Sequence, residues 1–118
     1  MIVGSHPHLL QKFSYVTSKD GRKVPVAYSL GNFCSNLAQL ALNRYNIILN
    51  AELTKENNKV AVANIDYTPC CILSEASEGQ FIIAPTRQTE GLSQEETDLL
   101  NEADKAIQKI IGGEIKPD

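Results

Sequence analysis

The sequence predicts an α+β unit of antiparallel β hairpins closed by one C-terminal helix, and three observations carry that prediction. Residues 45–53 alternate strictly, with Tyr45, Ile47, Leu49, Ala51 and Leu53 on one side and Asn46, Ile48, Asn50 and Glu52 on the other, the period of two that marks a half-buried strand. Asp20-Gly21 and Asn57-Asn58 stand between strand-like runs, where residues that tolerate positive φ close hairpins. From Ser93 the period changes to three and four, the spacing of a helical face.

Taken in order, residues 9–17 mix apolar and polar side chains as a strand does, and Asp20-Gly21 predicts a type I′ turn with positive φ at both residues. The return run puts Val24, Val26, Tyr28 and Leu30 on one side. Pro25 has no N–H to give a ladder, which predicts an edge position at that point. Gly31 to Asn36 reads as a loop. Residues 45–53 then pair back across Asn57-Asn58 with Val60 to Asp66, and Pro69 is expected to end or bend that strand. Phe81 to Ala84 forms a short last strand. Ser93 and Glu96 make a capping box, and Leu99, Leu100, Ala103, Ala106, Ile107, Ile110 and Ile111 line one face of a helix that Gly112-Gly113 stops. The chain reads as a single unit over 1–118, β-rich over 1–86, with a linker and the helix over 87–118.

A length of 118 residues suits one core rather than two. A net charge of −3 and scattered Lys and Arg give no basic face, which argues against nucleic acid as a partner. The apolar runs Ile47-Ile48-Leu49 and Phe81 to Ala84 are far shorter than the roughly 20 residues that span a bilayer. The chain reads as soluble, with no signal peptide. Met1-Ile2-Val3 is apolar and runs straight into Gly4, so the sequence reads as starting inside a strand, which suggests truncation. Cys34, Cys70 and Cys71 fit neither a disulfide framework nor CxxC zinc spacing, and are expected as buried, reduced thiols.

The chemistry concentrates in Gly4-Ser5-His6-Pro7-His8, which holds the only two histidines. Imidazole is the commonest side-chain metal ligand, and two on extended backbone, two residues apart, point the same way. Pro7 is expected to hold His6 extended and stiffen the pair. Two ligands alone do not make a zinc or dimetal site, so a purely structural role for both remains the competing reading.

The run Gly4-Ser5-His6-Pro7-His8-Leu9-Leu10-Gln11, followed after the hairpin by Ala27-Tyr28-Ser29-Leu30-Gly31-Asn32-Phe33, resembles the paired signature of the bacterial capsule-synthesis CapA family, also called poly-γ-glutamate synthesis proteins. The resemblance covers residues 1 to about 70. It implies a calcineurin-type metallophosphoesterase-like α/β sandwich, in which a late Gly-x-His-x-His motif serves a dimetal site. His6 and His8 are then implied as metal ligands in the intact protein, with Ser5 and Asn32 as possible pocket residues. Asn32 is equally ordinary turn chemistry next to Gly31.

The early Asp-x-His, Gly-Asp-x-x-Asp and Gly-Asn-His elements of that fold are absent. By resemblance the chain is therefore the C-terminal half of the sandwich. Divalent metal ions are implied for the intact protein and none for this piece, which is expected to be inactive alone. The implied metals would polarise a phosphoryl or related ester oxygen toward attack by water. The implied partners are the missing N-terminal half, further copies of the chain, and capsule polymer machinery at the bacterial cell envelope. A non-enzymatic β-rich interaction module with structural histidines is the alternative.

Overall fold

A computed structural model describes residues 1–33, 41–75 and 80–118; Cys34 and the rest of the expected Gly31–Asn36 loop beyond Phe33 lie outside the described residues. Within them the chain is mostly antiparallel β with one C-terminal helix. The strands are β1 (Ile2–Val3), β2 (Phe13–Thr17), β3 (Lys23–Ala27), β4 (Tyr45–Glu56), β5 (Lys59–Glu75) and β6 (Gln80–Pro85), followed by α1 (Gln94–Ile111). A single 3-10 turn, Ala41–Arg44, leads into β4. They form two three-stranded sheets, ordered β1-β3-β2 and β4-β5-β6, in which only β1 pairs in parallel.

The β2–β3 turn differs in type from the expected one. The Gly21 N–H donates to the Ser18 carbonyl at 2.9 Å, and only Gly21, at φ +82°, has left the ordinary negative φ range. This is a type I turn at Lys19-Asp20 followed by a left-handed glycine, the geometry of a three-residue hairpin loop. Asp20 instead caps the loop: its carboxylate takes the Ser18 hydroxyl and the Arg22 guanidinium, which hold its pKa down at about 2. Asn57 and Asn58, by contrast, both sit at positive φ, 48° and 61°, between the paired residues Glu56 and Lys59, as a type I′ turn requires.

Pro25 sits where the ladder needs no donor, and Pro69 sits at the end of one. Ser18 donates to Arg22 and Tyr28 to Lys12, so by alternation Pro25, opposite Tyr15, falls in a non-hydrogen-bonded pair with β2. On its other side β1 pairs only with Val26 and Ala27, so Pro25 has an edge there although β3 is the central strand. Pro69 does not end its strand: β5 runs through it to Glu75. Its partner Ile47 sends its own N–H away, to the Leu30 carbonyl at 3.1 Å, so that pair also exchanges no hydrogen bond. Toward β6, just past the last ladder pair of Cys70 with Pro85, the Pro69 carbonyl accepts the Thr86 N–H at 2.8 Å, but Pro69 has no N–H to return. The missing N–H thus costs nothing at Pro25 or toward β4 at Pro69, and toward β6 it leaves one bond unmade at the end of the ladder.

Burial follows the alternation only where something lies above the sheet. Tyr45 and Ile47 are buried and Leu49 is half-buried, but Ala51 and Leu53 are exposed, because β4 and β5 run on beyond the helix as a projecting arm with a bulge at Glu52/Leu53. In and just after β3 the buried side is Pro25, Ala27 and Ser29, with Val26 also buried; Tyr28, on the same side as Val24 and Val26, is exposed. One core joins Leu10, Phe13 and Ala27 of the first sheet to Tyr45, Ile47, Tyr67, Cys71 and Leu73 of the second, beneath Leu100, Ala103, Ile107 and Ile111 of α1.

The helix has the expected frame. Ser93 and Glu96 form the reciprocal capping box, and Gly112 is the C-cap at φ +83°. Beyond it, Lys116 and Asp118 bond the two backbone groups of Tyr67, covering the edge of β5. Cys70 and Cys71 are wholly buried free thiols, and burial pushes both above their ordinary pKa, Cys71 to about 11. Among the described helices none is long and apolar enough to cross a membrane.

Candidate functional site

Two glycines bring the motif segments onto the rest of the fold. The Gly4 N–H donates to the Ala27 carbonyl at 2.8 Å, and a Cβ on Gly4 would collide with the Tyr28 carbonyl oxygen. Gly31 has φ +82°, and a Cβ there would collide with the Tyr45 carbonyl oxygen. Each glycine thus allows one backbone to touch another, which a side chain would prevent. In consequence Ser5-His6-Pro7-His8 leaves β1 beside the Leu30-Gly31-Asn32 segment that bridges the two sheets, through Leu10 with Leu30 and Gly31 with Asn46.

The histidines are exposed, and their backbone is not the expected one. His6 has φ 111° and His8 φ 57°, so neither is extended, and the alternation that would point both side chains one way does not apply. Proline disfavours the α region for the residue before it, yet here that residue takes a positive φ. Non-glycine residues at positive φ are uncommon, His being among those enriched there, and strained backbone of this kind clusters at functional sites.

Of the four residues singled out from sequence, the structure joins two directly. His8 Nδ1 lies 2.8 Å from Asn32 Oδ1, and the Asn32 Nδ2 donates to the Asn43 carbonyl at 3.2 Å. Asn32 is only 5% exposed, so it is a buried support for a surface imidazole rather than a turn residue facing water. Among the described residues the His6 ring has no hydrogen-bond partner. Ser5 lines a cleft of about 570 Å³ with Val3, Gly4, Leu30, Gly31, Phe33 and Asn46 to Leu49, next to the motif. Asn46 Oδ1 is buried there without a hydrogen-bond partner among the described residues, while its Nδ2 donates to the Arg44 carbonyl at 3.2 Å. Another cleft, about 590 Å³, lies between the β2–β3 hairpin and Val60 to Ile65 and contains neither histidine.

The donor set fits part of a metal centre. Asn32 holds His8 through Nδ1, and a ligating imidazole is oriented in the same way, through its other ring nitrogen. Among the described residues no group of three or more His, Cys, Asp or Glu converges on one point, whereas a closed zinc site takes four ligands and a catalytic one at least three from protein. Sequence reasoning missed Asn43 and Asn46. The first acts through its backbone carbonyl, which no side-chain pattern announces; the second reads as the outward partner in the alternation of β4.

Residues 1–37 match the model of a family described as bacterial capsule synthesis protein PGA_cap. The matched stretch contains both motif segments, from Gly4 through His8 and from Ala27 through Phe33. No curated protein and no solved structure gives a significant match to the chain.

Proposed function

We propose that this chain is the C-terminal part of a capsule-synthesis protein of the CapA, or poly-γ-glutamate, type. Its sheets and helix would complete a metallophosphoesterase-like sandwich at the bacterial envelope. His6 and His8 supply two of the metal ligands of the intact protein, and Ser5 lies at the edge of the pocket. The observation that carries the reading is the match over residues 1–37, supported by the hydrogen bond that ties its two motifs together through His8 and Asn32. Bound metal would supply Lewis-acid polarisation of a phosphoryl or related ester. Ser5 is not a nucleophile in this scheme, since both histidines are committed as ligands and none is left as its base.

With two ligands of a larger set, the chain alone binds divalent metal weakly and is inactive, because each absent ligand removes affinity and geometry. Calorimetric titration with zinc or manganese tests this. Weak binding that His8→Ala removes is expected, and tight binding of two ions per chain would contradict the assignment.

A second reading, a non-enzymatic β-rich interaction module, is favoured by one feature. The outer half of β4 and β5 stands exposed, with Leu53 59% and Val60 64% accessible, and an uncovered two-stranded arm with apolar side chains tends to find a partner. Ile2 and Val3 on the edge strand β1 are also exposed. Both readings therefore predict a homo-oligomer of this chain. A concentration-independent monomer in sedimentation equilibrium would contradict that.

A further inference from the structure

We propose that Asn32 is a positioning residue that fixes His8 as the Nδ1–H tautomer, leaving Nε2 as the unprotonated ring nitrogen. The argument starts from Asn43. Its backbone carbonyl can only accept, so the amide group 3.2 Å away must turn its nitrogen toward it. The amide oxygen then faces His8 Nδ1 at 2.8 Å. That oxygen too can only accept, so the proton sits on Nδ1. One backbone carbonyl thus sets the direction of both hydrogen bonds.

Burial makes the relay decisive. Asn32 is 5% exposed, so little water competes for its oxygen, and an unpaired oxygen there would forfeit a buried hydrogen bond. A histidine side chain in water ordinarily favours the proton on Nε2, and the relay reverses that preference. The backbone holds both ends in place: His8 sits at φ 57°, and Gly31, next to Asn32, sits at φ +82° against Tyr45. His6 lacks a partner among the described residues and keeps the ordinary preference. The tautomer follows from this geometry alone; only the use of Nε2 as a metal donor rests on the function proposed above.

Two-bond proton–nitrogen correlation spectra of the uniformly 15N-labelled chain, recorded at alkaline pH where imidazole is neutral, read the tautomer directly. The expected result is a His8 pattern with protonated Nδ1 and unprotonated Nε2, beside a His6 pattern with the proton mainly on Nε2. Asn32→Ala should move His8 to the His6 pattern, and Asn32→Asp, which keeps the acceptor, should not. Matching wild-type His8 and His6 patterns, or an unchanged His8 in Asn32→Ala, would overturn the proposal. If Asn32→Ala fails to fold, the wild-type comparison decides alone. A protonated His8 Nδ1 in an intact protein that binds no metal would sink the metal reading while upholding this one.

Discussion

Gly31 carries two separate constraints, a φ of +82° and a Cβ position already occupied by the Tyr45 carbonyl. Gly21 carries only the first, since its φ is also +82° but nothing lies within 4 Å of where its Cβ would be. Comparing Gly31→Ala with Gly21→Ala therefore separates backbone strain from close approach. Gly21→Ala should lose about 1 kcal/mol, the usual cost of forcing alanine to positive φ. Gly31→Ala should lose about 2–4 kcal/mol, because backbone must also move. Urea unfolding of both variants checks this, and equal losses would mean that the contact between Gly31 and β4 does not constrain the fold. At this scale the sequence marked Ser5, His6, His8 and Asn32 as the residues to watch. It could not reveal that Asn32 touches His8, because the link spans 24 positions and depends on how Gly31 turns the chain.

Among the elements, α1 is the one whose sequence signals are all local, which is why its capping box, apolar face and C-cap were legible in full. Pro69 was not legible, because whether a strand needs an N–H at one position depends on where its neighbours begin and stop. The same non-local logic governs how α1 is fastened to the sheet. Asp104 accepts from the Thr86 hydroxyl at 2.8 Å, from Arg87 Nε at 3.2 Å and from Gln108 Nε2 at 2.6 Å. Burial alone would raise its pKa, but these three bonds and the Arg87 charge outweigh burial and bring it below the ordinary 3.8. A carboxylate with a depressed folded pKa adds stability that is fully present above its unfolded value and is lost as pH falls through the folded one. Asp104→Ala should cost about 1–2 kcal/mol at neutral pH, the range for partly exposed charged hydrogen bonds. The gap between variant and wild type should close as urea melts are taken below pH 3.8. A gap that stays constant to acid pH would assign the loss to packing rather than to the charge.

Over the whole molecule, one core unites both sheets and the helix, while the far half of the β4–β5 arm and the outer edge of β1 remain uncovered. The α+β class was legible because it rests on periodicity; the extent of the arm was not, since alternation continues in sequence whether or not anything lies above the strand. The central claim is the proposal that His6 and His8 ligate metal in the intact protein. Its most direct test is the metal content, by elemental analysis, of the purified intact protein and its His6→Ala and His8→Ala variants. The account predicts divalent metal in the wild type and its loss in each variant, with thermal stability of the 118-residue chain nearly unchanged by the same substitutions. Full metal occupancy in both intact variants would contradict it and return the two histidines to a structural role.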